Sequence, residues 1–432
     1  MRLKLQLPKI HWFEVFLGTY YIWYFFPIAR ATFSATIYKY VFFSFFLLGM
    51  LLLLAACAFH SQGERLQLKV LIPVISYMLV MLLMTAFHVE DAALHIRVSF
   101  TFWGTILVYS AMGKFPDARM RFGTFLMILF ILTAITSSIG VIKDHSVARI
   151  LTYASNSVEE DYRLMKQNIS SIYLYQCMVI AVPIYLYLIK KRKKVWLGYT
   201  LLILSAVVIL NASFTISLFL MLAAVLICLL HTQFRWLNII LSPLLICAVL
   251  LVPWGNLLAY LAGLIDNSYI SVRLTELSNS IQSGMQSTGD LALRKRLYES
   301  SLQTFFSHWM GVGPLYSYIE FENGIGYHSQ MLDDFARYGI AGVAFYGVFL
   351  SQYYQLLKNS WAKIRMEAVA FPVTLLYTAF LILNLGFRSA DESIFMLFIL
   401  PVLPEVIHRR SAVKSAFEQK SAVEWERQGM QW

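Results

Sequence analysis

Apolar runs long enough to cross a bilayer recur from one end of this chain to the other, and no other feature constrains its fold as much. A membrane's hydrocarbon core takes about 20 consecutive apolar residues per helix, and inside it every backbone N–H and C=O must be satisfied within the protein. Candidate spans cover 12–29, 38–59, 68–87, 96–113, 123–142 and 169–189, then 195–211, 213–231, 236–262, 339–357, 367–385 and 393–408. The pattern predicts an all-α polytopic membrane protein of about twelve transmembrane helices. Only 14% of the 432 residues are charged, so no soluble domain of ordinary size fits between the spans. The first span follows Arg2, Lys4 and Lys9 and has no small-residue cleavage site. It reads as a retained helix rather than a removed leader.

Orientation follows from the basic run Lys190, Lys191, Arg192, Lys193 and Lys194, which fills a very short connection. The positive-inside rule puts that connection in the cytoplasm. Alternation then brings Arg2, Lys4, Lys9, Arg65, Lys69, Lys114, Arg119, Arg121, Arg235, Lys358, Lys363, Arg365 and the tail from Arg409 to the same side. None of these set the orientation, so their agreement is independent. The acids Glu159, Glu160, Asp161, Glu320, Glu322, Asp333 and Asp334 fall on the opposite side. The formal charge of +11 is therefore a topology signal, and no basic patch with interleaved aromatics is left over to argue for nucleic acid. Cys57, Cys177, Cys228 and Cys247 lie inside apolar runs with no CxxC spacing, as small packing residues do.

The resulting layout has earlier spans over 1–262 with an outer loop at 143–168, a large extracytoplasmic loop over 263–338, the last spans over 339–408, and a basic cytoplasmic tail over 409–432. A short polar corner, Arg388, Ser389, Ala390, Asp391 and Glu392, makes a third outer segment. In the large loop, Tyr298, Leu302, Phe305, Phe306 and Trp309 recur at helical spacing and predict an amphipathic helix lying against the bundle. Gly311, Gly313 and Pro314 end it. If the helix reaches back to Arg294, that residue shares the bundle-facing side with Tyr298, whereas Arg296 is rotated about 200° away. Arg294 is the better candidate for a buried anion contact. A cluster of Arg294, Lys295 and Arg296 gripping lipid headgroups is the alternative.

The loop reads RKRLYESSL at 294–302, GVGP at 311–314 and HSQMLDDFARYGIAG at 328–342, leading straight into a span. This resembles the lipid-linked oligosaccharide polymerases and ligases, that is, O-antigen and capsular polysaccharide polymerases of the Wzy type and the O-antigen ligases. Arg294, Leu297 and Tyr298 are similar to that family's helix start, and His328 with Gly339 eleven residues on matches its spacing. The long loop before the last spans is similar too. Arg163 and Asn168 stand where the family carries an Arg and an Asn ahead of a span, without its usual Gly and Pro-Asn.

The resemblance implies a GT-C-like architecture and transfer of a glycan from an undecaprenyl diphosphate carrier to a sugar hydroxyl on the outer face of the cytoplasmic membrane. His328 is then the candidate general base, since imidazole titrates near neutrality. Arg163 and Arg294, with Arg273 in reserve, are candidates for the leaving diphosphate, which needs fixed positive charge and not a proton. With no Asp-x-Asp or His-carboxylate motif, the expectation is inverting, metal-independent transfer with no cofactor, and a chain-length regulator as a further partner. A His-Ser form followed by Leu332 and Asp333 is closer to polymerases than to ligases. A flippase for the same lipid-linked sugars is the rival from another class. Carriers show internal repeats and mid-membrane charges, whereas here Glu14 and Glu405 sit near span ends.

Overall fold

The computed structural model describes residues 10–59, 92–144, 147, 158–191, 195–212, 215–230, 253–264, 268–283, 290–313, 324–384 and 390–409. The expected span at 68–87, most of that at 236–262, the corner residue Arg388 and the tail beyond 409 lie outside them. Among the described residues the chain is helical with no strand. Four helices among the described residues are long and apolar enough to cross a membrane: Thr36–Phe59, Pro116–Lys143, Ile172–Lys190 and Val195–Ala212.

The elements run α1 Trp12–Phe25, α2 Pro27–Thr32, α3 Thr36–Phe59, α4 Ala92–Ala111, α5 Pro116–Lys143, α6 Val158–Lys166, α7 Ile172–Ile180 and α8 Val182–Lys190. They continue as α9 Val195–Ala212, α10 Thr215–Leu230, α11 Trp254–Leu264, α12 Ser268–Gln282, α13 Asp290–Ser307, α14 Gln330–Ala362 and α15 Ala370–Leu383. The last, α16, begins at Ala390–Ile394, passes through a π turn at Phe395–Ile399 and stays helical to 409. Two expected spans are interrupted for a local reason. Pro27 forbids continuation of α1, and Pro183 removes the N–H that would bond α7 to α8, so Ala181 becomes a joint.

Helix α16 is buried in the packing, touching α1, α4, α5 and α7. Its π turn widens the helix where Phe398 meets Tyr109 and Phe122 edge-on, at 5.5 and 5.4 Å, while Phe395 stacks on Phe130 at 4.8 Å. Every residue from Asp391 to Leu400 is buried.

The polar contacts sort into two ends. At one, Glu405 accepts from Arg119 and Lys363, both at 2.8 Å, Arg121 pairs with Glu14 at 2.6 Å, Arg409 pairs with Asp117, and Tyr187 donates to the Arg365 carbonyl at 3.0 Å. At the other, Ser170 donates to Asp391 at 2.6 Å, Tyr298 to the Leu383 carbonyl at 2.9 Å, and the Gln330 N–H to the Asn384 carbonyl at 2.8 Å. Among the described residues, Arg119, Arg121, Lys363, Arg365 and Arg409, all expected on one side, thus collect at one end of the bundle. Ser170, just past the loop expected at 143–168, Asp391 of the polar corner, and Tyr298 and Gln330 of the large loop lie at the other.

Candidate functional site

His328 sits in the turn that joins the large loop to α14, half-buried. Ser329 ends the turn as the N-cap of α14, its hydroxyl accepting from the Leu332 N–H at 3.0 Å. The His328 Nδ1 lies 3.1 Å from the Gly326 carbonyl oxygen. A carbonyl only accepts, so in this bond Nδ1 carries the proton and Nε2 holds the imidazole lone pair. Nε2 is therefore the basic nitrogen of neutral His328.

The turn is clamped to α13. Gly326 donates its N–H to the Ser301 hydroxyl at 2.9 Å, and Ser301 donates to Asp333 at 2.6 Å. The other Asp333 oxygen takes the Ser329 N–H at 3.3 Å. A Cβ on Gly326 would stand 2.1 Å from the Leu297 carbonyl oxygen, so only glycine lets the turn approach the α13 backbone this closely. Burial raises the Asp333 carboxyl to about 6, against the opposing pull of Arg337 and the Ser301 hydrogen bond. Asp334, next along, accepts from Gln330 at 2.9 Å, Tyr346 at 2.6 Å and Arg337 at 3.1 Å.

The structure carries α13 from Asp290, and Arg294 is half-buried on the same side as Tyr298 while Arg296 is exposed. Arg294 lies near the Tyr298 hydroxyl. Burial pushes that phenol up and Arg294 pulls it back. The expected aromatic stripe is only partly inward. Phe305 meets Phe335 at 5.9 Å, but Phe306 is 76% and Trp309 59% exposed. The buried ridge is Leu297, Ser301 and Thr304, because Asp333 and the carbonyl of Gly324 need hydroxyl donors there and the helices must come close.

Gly311 and Gly313 end the loop's helix as expected, with φ of 90° and 88°. They also lock it to α14. The backbone of α14 leaves helical geometry at Gly339, φ 58° and ψ −139°, and the carbonyls of Ala336 and Arg337 accept from Val312 and Gly313 at 3.0 and 2.9 Å. The Ile340 N–H returns a bond to the Trp309 carbonyl at 3.0 Å. The spacing from His328 to Gly339 is thus a short helix of fixed length, ending at a kink only glycine adopts without strain.

Arg163 is exposed on α6, which packs chiefly against α2. Its companion Asn168 has a structural role. Asn168 takes φ 57°, its N–H bonds the Met165 carbonyl, and the Ile169 N–H bonds the Leu164 carbonyl, at 2.9 and 3.1 Å. These are the paired bonds of a helix stop, with Leu164 and Ile169 in the hydrophobic contact that accompanies it. Ser170, two residues on, is what ties this segment to Asp391. Arg273 lies on α12, which packs against α11 and touches α13, and its side chain is outside the described residues.

Sequence reasoning missed Arg337. It is 2% exposed, and the carboxylates of Asp334 and Asp333 hold it charged despite burial. The i, i+3 and i, i+4 spacing from Asp334 and Asp333 was the available signal. No family model and no curated protein matches this chain.

Proposed function

We propose that this chain is a glycosyltransferase that joins undecaprenyl-diphosphate-linked oligosaccharide repeat units into a surface polysaccharide on the outer face of the bacterial cytoplasmic membrane. The observation that carries the reading is the His328 turn, whose Nδ1 is committed to the Gly326 carbonyl so that Nε2 is the basic nitrogen, seated on the helix that carries Arg294. In the proposed step an acceptor sugar hydroxyl attacks the anomeric carbon of the donor glycan, and His328 Nε2 takes the hydroxyl proton. The bond from that carbon to the diphosphate oxygen breaks with inversion, and the diphosphate leaves with its electron pair. Arg294 stabilises its developing charge, with Arg163 on the neighbouring outer segment and Arg273 as further candidates.

The same reading includes about twelve spans with both termini cytoplasmic, by the hydropathy and charge rules. What supports it is the gathering of Ser170, Asp391, Tyr298 and Gln330 at one end of the bundle. The test is the purified protein in detergent with a single lipid-linked repeat unit. A ladder of glycan lengths, lost in His328→Ala, is the expected result. Transfer only to a different acceptor would make the enzyme a ligase. No transfer in detergent, with movement of the lipid in vesicles, would make it a carrier.

A further inference from the structure

Arg337 is buried at 2% exposure. Its Nη1 donates to Asp334 at 3.1 Å, but Nε and Nη2 have no hydrogen-bond acceptor among the described residues. Buried guanidinium N–H groups are seldom left in that state. What the guanidinium does have is the ring of Tyr327, whose centroid is 5.0 Å from Cζ. That is cation–π range, with the guanidinium buried and the ring half-buried.

Tyr327 is itself unusual. Its φ of 55° lies in the left-handed region, which aromatic L-residues rarely adopt. It stands between Gly326 and His328, so its backbone torsions set how the Gly326 carbonyl is aimed at the imidazole. That carbonyl is the partner that fixes the proton on Nδ1. Gly326 is held from the other side by Ser301. The strained residue therefore lies between two anchors, and its ring is held by a third.

We propose that Arg337 is a positioning residue for His328: by holding the ring of Tyr327 it keeps that residue in its left-handed conformation and so keeps Nε2 as the basic nitrogen. This rests on the reading of His328 as general base, although the positioning itself is a statement about geometry. A purely structural Arg337, serving only to neutralise Asp333 and Asp334, makes a different prediction. Lysine would then substitute, because it supplies the same charge. Lysine lacks the flat delocalised face that stacks on an aromatic ring.

The experiment uses the full chain in lipid nanodiscs with nitrogen-15-labelled histidine. The His328 signals are identified by their loss in His328→Gln, and the two ring nitrogens are distinguished by their shifts. Wild type is expected to show protonated Nδ1 and unprotonated Nε2. Arg337→Lys and Tyr327→Leu should both move His328 to a mixture of tautomers, whereas Tyr327→Phe, which keeps the ring, should leave it unchanged. In glycan transfer the first two variants should lose about 10²-fold in kcat with little change in KM, the scale expected when a reacting group is slightly misplaced.

A folded Arg337→Lys or Tyr327→Leu with the wild-type tautomer overturns the proposal. If Arg337→Lys does not fold, Tyr327→Leu decides alone. Should wild type transfer no glycan, the proposed function fails while the tautomer measurement still tests the positioning. Should transfer require His328 yet tolerate both variants, the positioning fails and the function stands.

Discussion

Replacing Gly339 by alanine puts a methyl group where the structure has no room and a conformation that an L-residue resists. The added Cβ would lie 2.1 Å from the Trp309 carbonyl oxygen and 2.6 Å from the Gly311 nitrogen, both backbone atoms that no rotamer change can move. The φ of 58° with ψ of −139° adds strain of about 1–3 kcal/mol for any residue with a side chain. Relief requires the 309–313 segment to withdraw, breaking the bonds of Val312, Gly313 and Ile340 to Ala336, Arg337 and Trp309. Each is worth about 0.5–1.5 kcal/mol net, so the least expensive response loses about 2–4 kcal/mol of local stability. That is a large part of a typical 5–15 kcal/mol total, yet it is confined to one junction, so local opening is expected rather than global unfolding. Hydrogen exchange by mass spectrometry, on peptides covering 309–313 and 336–341, should show these amides exchanging about thirtyfold to several hundredfold faster. Gly347→Ala, where nothing lies within 4 Å of the added methyl, should leave them unchanged. Equal exchange in the two variants would refute the account of the Gly339 kink as the lock between loop and bundle.

Two further predictions concern charge. The folded-state pKa of Asp333 lies near 6, above the ordinary carboxylate value, so this group contributes stability that is present at low pH and is lost as pH rises from about 4 through 6. Asp333→Asn should flatten that slope in thermal unfolding followed across pH, and an unchanged slope would assign it to another group. At the other end, Glu405→Gln strips the counter-charge from Arg119, whose side chain is 4% exposed, and should lower stability by about 3–5 kcal/mol, whereas Lys363→Met at the exposed arm of the same cluster should stay within about 1 kcal/mol. Unfolding in detergent checks both, and equal effects would contradict the difference in burial.

The parts of this architecture that were legible in the sequence are those written in a single element. Span positions follow from apolar length alone, and 195–211 against Val195–Ala212 differs by one residue. The separation of Arg294 from Arg296 follows from helix rotation. What was not legible depends on a partner distant in sequence. Nothing in residues 297–304 announces that hydroxyls rather than aromatics face inward, because the reason is Asp333 on another helix. Asn168 was read through a motif, and its conformation shows a helix stop that any chain leaving α6 at this angle needs. Arg337 was overlooked for a related reason, since its relation to His328 runs through the backbone torsion of Tyr327.

The sorting of polar contacts into two ends makes sidedness a single yes-or-no question. Trp309, exposed at the end where Tyr298, Ser170 and Asp391 lie, and Lys191, at the end where Tyr187 reaches Arg365, cannot both face the same compartment if the bundle crosses a bilayer once per span. In a background with the four native cysteines replaced, Trp309→Cys should react with a membrane-impermeant maleimide on intact cells. Lys191→Cys should react only after permeabilisation, because the positive-inside rule puts its basic neighbours in the cytoplasm. The reverse pattern would keep the two ends and invert the molecule, which removes an outer-face transferase. Labelling of both from outside would be more damaging. It would mean that the two contact clusters do not lie at opposite ends of a membrane-crossing bundle, and that the grouping of His328 with the outer segments has no topological basis.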